Sequence, residues 1–100
     1  MIDLERAVGF EWDDGNGRKS AHKHGVSQAE AEQAFLNAPL LLVEDIRRGY
    51  SEKRFHALGQ TLGGRLLHIT FTLRREEPRI RVISARDMHR KERLRYDQET

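Results

Sequence analysis

The stretch that decides the fold is residues 63–87, GGRLLHITFTLRREEPRIRVISARD. Apolar and polar residues alternate over Arg65–Leu73, which predicts a β-strand with one core-facing side. Gly63-Gly64 before this segment and Glu76-Glu77-Pro78 after it favour turns, so the chain is expected to return along Arg79–Arg86 as the next strand. The stretch therefore predicts an antiparallel pair of strands.

The two sides of these strands carry different side chains. One side of the first strand is apolar throughout, with Leu67, Ile69, Phe71 and Leu73. Its other side is mixed, with Leu66, His68, Thr70 and Thr72. In the second strand, strict alternation puts Ile80 and Val82 on one side and Arg81 and Ile83 on the other. We expect one side to form the core and the other to stay open and collect arginines.

Two helices are predicted in the first 40 residues. The polar segment 14–24 can form a helix that Gly25 ends as a left-handed cap. Ser27 and Glu30 have the spacing of a capping box and open a second helix. Pro39 stops that helix.

The remaining segments complete an α+β plan of one domain over residues 1–100. Residues 1–9 are expected to be a loosely held leader. Phe10–Asp13, which follows, is predicted to be a short edge strand. Leu40–Val43 and Lys53–Gly59 are the other predicted strands, and Asp87 is the predicted cap of a basic helix from Met88 to about Gln98. The predicted architecture is two N-terminal helices packed on one face of an antiparallel sheet of about four strands, plus a C-terminal helix.

Composition excludes several classes of protein. The chain has 100 residues, of which 37% are hydrophobic, so its core is thin. There is no cysteine, which excludes a disulfide framework, a thiol nucleophile and a thiolate metal site. No apolar run is long enough to span a bilayer, and we expect a cytoplasmic protein.

Positive charge is concentrated in the last third of the chain. The whole sequence has 18 basic and 16 acidic residues, but residues 65–100 contain 10 basic residues, nine of them arginine, against 6 acidic ones. Arginine matches phosphate oxygens best, so nucleic acid is a plausible partner. The alternative is a solvated surface whose arginines pair with Glu76, Glu77, Asp87 and Glu92.

Several strings between residues 10 and 96 resemble the BrnT family, the toxins of bacterial type II BrnT–BrnA toxin–antitoxin modules. In chain order they are Phe10-Glu11-Trp12-Asp13, Lys23-His24-Gly25-Val26-Ser27, Glu52 with Arg54-Phe55, Gly64-Arg65-Leu66-Leu67, Thr72 with Arg74, Arg81-Val82-Ile83-Ser84-Ala85-Arg86, and Glu92-Arg93 with Tyr96. Asn16 and Ser20 stand where the family usually has Lys and Asn.

The resemblance implies a RelE-like fold and a ribosome-independent RNA endonuclease. It also implies a DNA-binding, BrnA-like antitoxin that inhibits the toxin in a hetero-oligomer. Contact with DNA would then occur only through the antitoxin, and no membrane partner is expected.

RNA can be cleaved without a metal ion, because its own 2′-hydroxyl attacks the adjacent phosphate. The protein then supplies alignment, proton transfer and positive charge. We predict Arg81, Arg86 and Arg54 as phosphate stabilisers and His56, on the same side of its strand as Arg54, as the general base. The predicted RNA-binding residues are Arg74, Arg65, Lys53 and Tyr96.

Most of these residues also have a structural alternative. Arg54 and Arg74 could form ordinary cross-strand pairs with Glu52 or Glu76. Arg81 could solvate the sheet, and Arg86 could pair with Glu92 or cap the last helix. Arg65 beside a turn could have a plain surface role, and Tyr96 could pack the terminal helix on the sheet. His68 is expected to fill the edge of the sheet.

A metal-dependent nuclease is the main mechanistic rival, and we predict no metal and no cofactor. His22 and His24, two residues apart on a helix, point about 200° apart. Asp13 and Asp14 are adjacent and cannot both face inward from a strand. Two further functions remain open: a non-catalytic binding module that holds its antitoxin through the basic sheet face, and direct binding of DNA.

Overall fold

The computed structural model describes residues 9–12, 23–45, 53–73 and 79–100. Its strands are β1 (Gly9–Trp12), β2 (Leu41–Asp45), β3 (Arg54–Gln60), β4 (Leu66–Leu73) and β5 (Arg79–Asp87), and its helices are α1 (Gln28–Leu36) and α2 (Arg90–Glu99). Lys23 and His24 are also helical, whereas the rest of the first predicted helix lies outside the described residues. Within the described ranges, no helix has the length and apolarity needed to cross a membrane.

The five strands form one mixed sheet in the order β1-β5-β4-β3-β2. Neighbours from β2 to β5 are antiparallel, as predicted, but β1 is parallel to β5. The sheet thus has five strands and not about four, because the predicted edge strand β1 joins the antiparallel run in parallel. Alternation identifies a strand but not its partner, and the partner of β1 lies about 70 residues further along the chain.

A β-bulge interrupts β5 at Ile83. Thr70 of β4 pairs with Ser84, but the next residue, Phe71, pairs with Val82, so Ile83 has no place in the register. The extra residue shifts the alternation of side chains by one position. As a result Arg81 and Arg86, which strict alternation would place on opposite sides of the sheet, lie on the same side.

The main core lies between the sheet and α1. The capping box is confirmed: the Glu30 backbone amide donates to Ser27 Oγ at 3.1 Å, and the Ser27 amide donates to Glu30 Oε1 at 3.2 Å. Gly25, at φ +64°, has the predicted left-handed conformation. The buried core residues of α1 and β4 are Ala31, Ala34, Phe35, Leu67, Ile69 and Phe71.

The opposite face of the sheet is covered in part by α2, which corrects the prediction of a fully open face. Leu58, Met88 and Tyr96 form a second buried cluster there. The helix begins at Arg90 with His89 as its N-cap, so it starts later than predicted and Asp87 does not cap it. The Asp87 carboxylate instead binds Arg65.

Candidate active site

The polar face is the polar part of the side of the sheet that faces away from α1, and α2 lies against one end of it through Glu92. Eight side chains from the three strands β3, β4 and β5 define it. They are Arg54, His56, His68, Thr70, Thr72, Arg81, Ser84 and Arg86.

The first row of the polar face brings two predicted arginines to the same threonine. Thr72 pairs with Arg81, and Arg54 stands one residue before the Phe55–Phe71 pair, which places it on the other side of Thr72. Since neighbouring strands lie about 4.8 Å apart, the two arginine backbones are separated by about 10 Å. Side chains of this length can reach one anion from both sides.

The second row contains the predicted general base. His56 pairs with Thr70, and Thr70 pairs with Ser84 on β5. The Nδ1 atom of His56 lies 3.1 Å from Thr70 Oγ1. When Nδ1 carries the proton and donates it to the threonine oxygen, the lone pair of the neutral imidazole is on Nε2, which is the form a base requires.

The third row joins the sheet to α2 through Glu92. Arg86 donates from Nη1 and Nη2 to the two carboxylate oxygens of Glu92, at 2.8 and 3.0 Å. The His89 amide donates to Glu92 Oε1 at 2.8 Å. Arg86 is therefore the partner of Glu92, as its structural alternative predicts.

For His68, in the third row, the sequence predicted only a packing role at the edge of the sheet. It lies on the central strand β4 and not at the edge of the sheet, and its Nε2 atom is 3.5 Å from Glu92 Oε2. Its Nδ1 atom is buried and has no hydrogen-bond partner among the described residues. The imidazole ring lies against that of His56, with ring centroids 4.8 Å apart.

Burial and the ion pair set the charges of this row. Burial, assisted by the positive charge of Arg86, lowers the pKa of His68 to about 4 despite the nearby carboxylate, so the ring is neutral at pH 7. Burial alone would raise the pKa of Glu92, but the hydrogen bonds from Arg86 and the His89 amide outweigh it and hold that pKa at about 2. The row thus contains one ion pair and one neutral imidazole.

Arg65 lies on the α1 side of the sheet, away from the polar face. It donates from Nε to Asp87 at 2.7 Å, from Nη1 to Glu30 at 3.1 Å, and to the backbone carbonyls of Gly25 and His24 at 2.8 and 3.3 Å. Hydrogen bonding to Arg65 lowers the pKa of Asp87. These contacts tie the end of β5 to the start of α1, which is more than the plain surface role given as the alternative for Arg65.

The other predicted RNA contacts are dispersed. Tyr96 is buried against the sheet and donates its hydroxyl to the Pro39 carbonyl at 2.5 Å, so its ring has no face open for stacking. Lys53 is exposed, 3.7 Å from Glu44 at the start of β3. Arg74 lies outside the described residues.

The sequence has candidate metal ligands at two places. His22, Asp13 and Asp14 lie outside the described residues. Within the described ranges, no three His, Asp or Glu side chains are grouped closely enough to hold a metal ion.

Comparisons with known proteins agree on one family. The family model described as "Ribonuclease toxin, BrnT, of type II toxin-antitoxin system" matches residues 12–92. The fold is similar to the crystal structure of the Brucella abortus ribonuclease toxin BrnT, with a TM-score of 0.57 and 20% sequence identity. That match covers 84% of this chain and 100% of the Brucella chain. No curated protein matches this sequence.

Proposed function

Because this chain belongs to the BrnT family of ribonuclease toxins of type II toxin–antitoxin systems, we propose that it cleaves RNA on the polar face without a metal ion. The observation that carries this proposal is the register of β3, β4 and β5. It places Arg54, His56 and Arg81 on one side of three adjacent strands.

The proposed reaction uses the nucleophile that RNA already contains. His56 Nε2 removes the proton from the 2′-hydroxyl, and the 2′-oxygen attacks phosphorus. The bond from phosphorus to the 5′-oxygen breaks, the departing oxygen takes a proton from water, and the imidazolium releases its proton to solvent. The products are a 2′,3′-cyclic phosphate and a free 5′-hydroxyl.

Arg54 and Arg81 supply the positive charge that the reaction needs. The phosphate gains negative charge in the transition state, and two guanidinium groups on either side of Thr72 would stabilise it. Arg86 contributes at a distance, since its two Nη groups are bound to Glu92. We keep Lys53 and Arg74 as proposed RNA contacts and assign Arg65 and Tyr96 structural roles.

Cleavage of single-stranded RNA by the purified chain in excess EDTA tests the proposal. We expect products with cyclic phosphate ends, and rates about 100-fold lower for each of Arg81→Ala, Arg54→Ala and His56→Ala. The matched control is Arg93→Ala, because Arg93 is exposed on α2. Intact RNA, loss of cleavage in EDTA, or an Arg81→Ala variant as fast as the control would contradict the proposal.

We also propose a partner, a DNA-binding antitoxin of the BrnA type that binds over the polar face. A type II toxin requires an antitoxin, and a face that binds phosphate also suits an acidic protein segment. Pull-down of the neighbouring small reading frame's product, with and without Arg81→Ala, tests this placement. Unchanged binding by the variant would place the antitoxin elsewhere. Partner binding without RNA cleavage would favour the non-catalytic binding module.

A further inference from the structure

A continuous series of contacts runs from α2 across the polar face to His56. It starts at Glu92, whose two carboxylate oxygens are held by Arg86 and by the His89 amide. The side chain of Glu92 is only 23% exposed and that of Arg86 25% exposed. An ion pair with two parallel hydrogen bonds and a third donor has one orientation, so Glu92 is fixed before any substrate binds.

His68 is the next group in the series. Its Nε2 atom faces Glu92 Oε2 at 3.5 Å, and a neutral imidazole that presents Nε2–H to this carboxylate keeps its lone pair on Nδ1. Only 9% of the residue is exposed. The carboxylate thus favours one tautomer and one orientation of the His68 ring.

The His68 ring then meets His56. The two ring planes are inclined by 35° with centroids 4.8 Å apart, while Thr70 engages His56 Nδ1 from β4. His56 therefore has a hydrogen-bond partner at one nitrogen and a fixed aromatic ring beside it. Both constraints come from β4, and one of them depends on α2.

We propose that His68 and Glu92 are positioning residues for His56: they hold its imidazole in the orientation that presents Nε2 to the 2′-hydroxyl of RNA. This inference rests on the proposed function, in which His56 is the base. It makes docking of α2 on the sheet contribute to the rate of cleavage, because Glu92 reaches His68 only from that helix.

The groups that face the two imidazoles come from four different elements. His68 is faced by Arg86 from β5, Glu92 from α2 and His56 from β3. On the side of β2, His56 pairs with the apolar Val43. Replacing Glu92 with Gln leaves the charge of Arg86 uncompensated and removes the carboxylate that orients the His68 ring.

The test combines RNA cleavage as a function of pH with an NMR titration of the His56 imidazole. The variants are Glu92→Gln and His68→Gln, and His89→Gln is the control because its side chain is exposed and its amide contact to Glu92 is kept. Circular dichroism confirms that each variant is folded.

We expect Glu92→Gln to lower kcat with little change in KM, because the His68 ring beside His56 loses the group that orients it. We expect His68→Gln to lower kcat about tenfold with little change in KM, since the arginines still bind RNA. In both variants the His56 resonances should move.

Failure of the inference differs from failure of the proposed function. If His56→Ala abolishes cleavage but both variants keep the wild-type kcat, pH profile and His56 resonances, His68 and Glu92 do not position His56. If the wild-type chain does not cleave RNA, the proposed function fails. The NMR titration then still decides whether His68 and Glu92 control His56, and unmoved resonances would overturn that as well.

Discussion

Replacing His68 with Gln should remove a loss of stability that the wild-type protein suffers in mild acid. In the folded chain burial holds the pKa of His68 at about 4, whereas in the unfolded chain it is near 6.5. Below pH 6.5 the unfolded state therefore binds a proton that the folded state does not. The free energy of unfolding therefore has its full value above pH 6.5 and decreases as the pH falls toward 4.

The size of the effect follows from the width of that interval. Each pH unit of difference in proton binding is worth about 1.4 kcal/mol. Between pH 7 and pH 5 the wild-type protein should lose about 2 kcal/mol in its free energy of unfolding. Glu30, Asp87 and Glu92, whose pKa values are lowered, reduce stability only below about pH 5. The change in the free energy of unfolding between pH 7 and pH 5 therefore comes from histidine and not from these carboxylates.

Urea unfolding followed by the fluorescence of the single tryptophan, Trp12, measures the effect at pH 7 and pH 5. His68→Gln should reduce the difference between the two pH values to less than about 0.5 kcal/mol. His89→Gln, at an exposed position, should leave it as in the wild type. A wild-type free energy that is level over this interval would refute the burial argument. So would a His68→Gln variant that loses as much stability in acid as the wild type.

Two other substitutions test how the helices are held on the sheet. Gly59→Ala should cost about 2 kcal/mol, because a Cβ atom there would lie 2.6 Å from the Ala34 carbonyl oxygen in α1. Gly63→Ala, where the nearest atom is 3.8 Å away, is its control, and equal melting temperatures would contradict the close approach. Tyr96→Phe should cost about 1 kcal/mol by removing the hydrogen bond to the Pro39 carbonyl while keeping the buried ring. A melting temperature equal to that of the wild type would show that this bond contributes nothing.

Local patterns predicted much of the fold. The alternation in β4 identified its core side, since Leu67, Ile69 and Phe71 are all fully buried. The spacing of Ser27 and Glu30 identified the start of α1. Each of these signals depends only on residues within one turn of helix or one strand, and the geometry of that element determines the outcome.

Contacts between distant segments could not be predicted in the same way. Asp87 looked like a helix cap because it precedes a basic helix, but Arg65 binds it from 22 residues away. His68 gave no signal of its own, since its burial and its contact with Glu92 arise only when α2 docks on the sheet. The positions of Arg54 and Arg81 followed from strand periodicity, whereas the surroundings of Arg86 depended on the unforeseen bulge.

The bulge in β5 decides on which side of the sheet Arg81 and Arg86 lie. Positions 81 and 86 are an odd number of residues apart, and an uninterrupted strand would point one of them into the core. Keeping Ile83 in a regular ladder would turn Ala85 outward and point the Arg86 guanidinium into the apolar interior, whereas deleting Ile83 would restore regular alternation with both arginines still on the polar face. The bulge thus absorbs the extra residue Ile83, so that a single strand contributes charge from both of its halves to one surface.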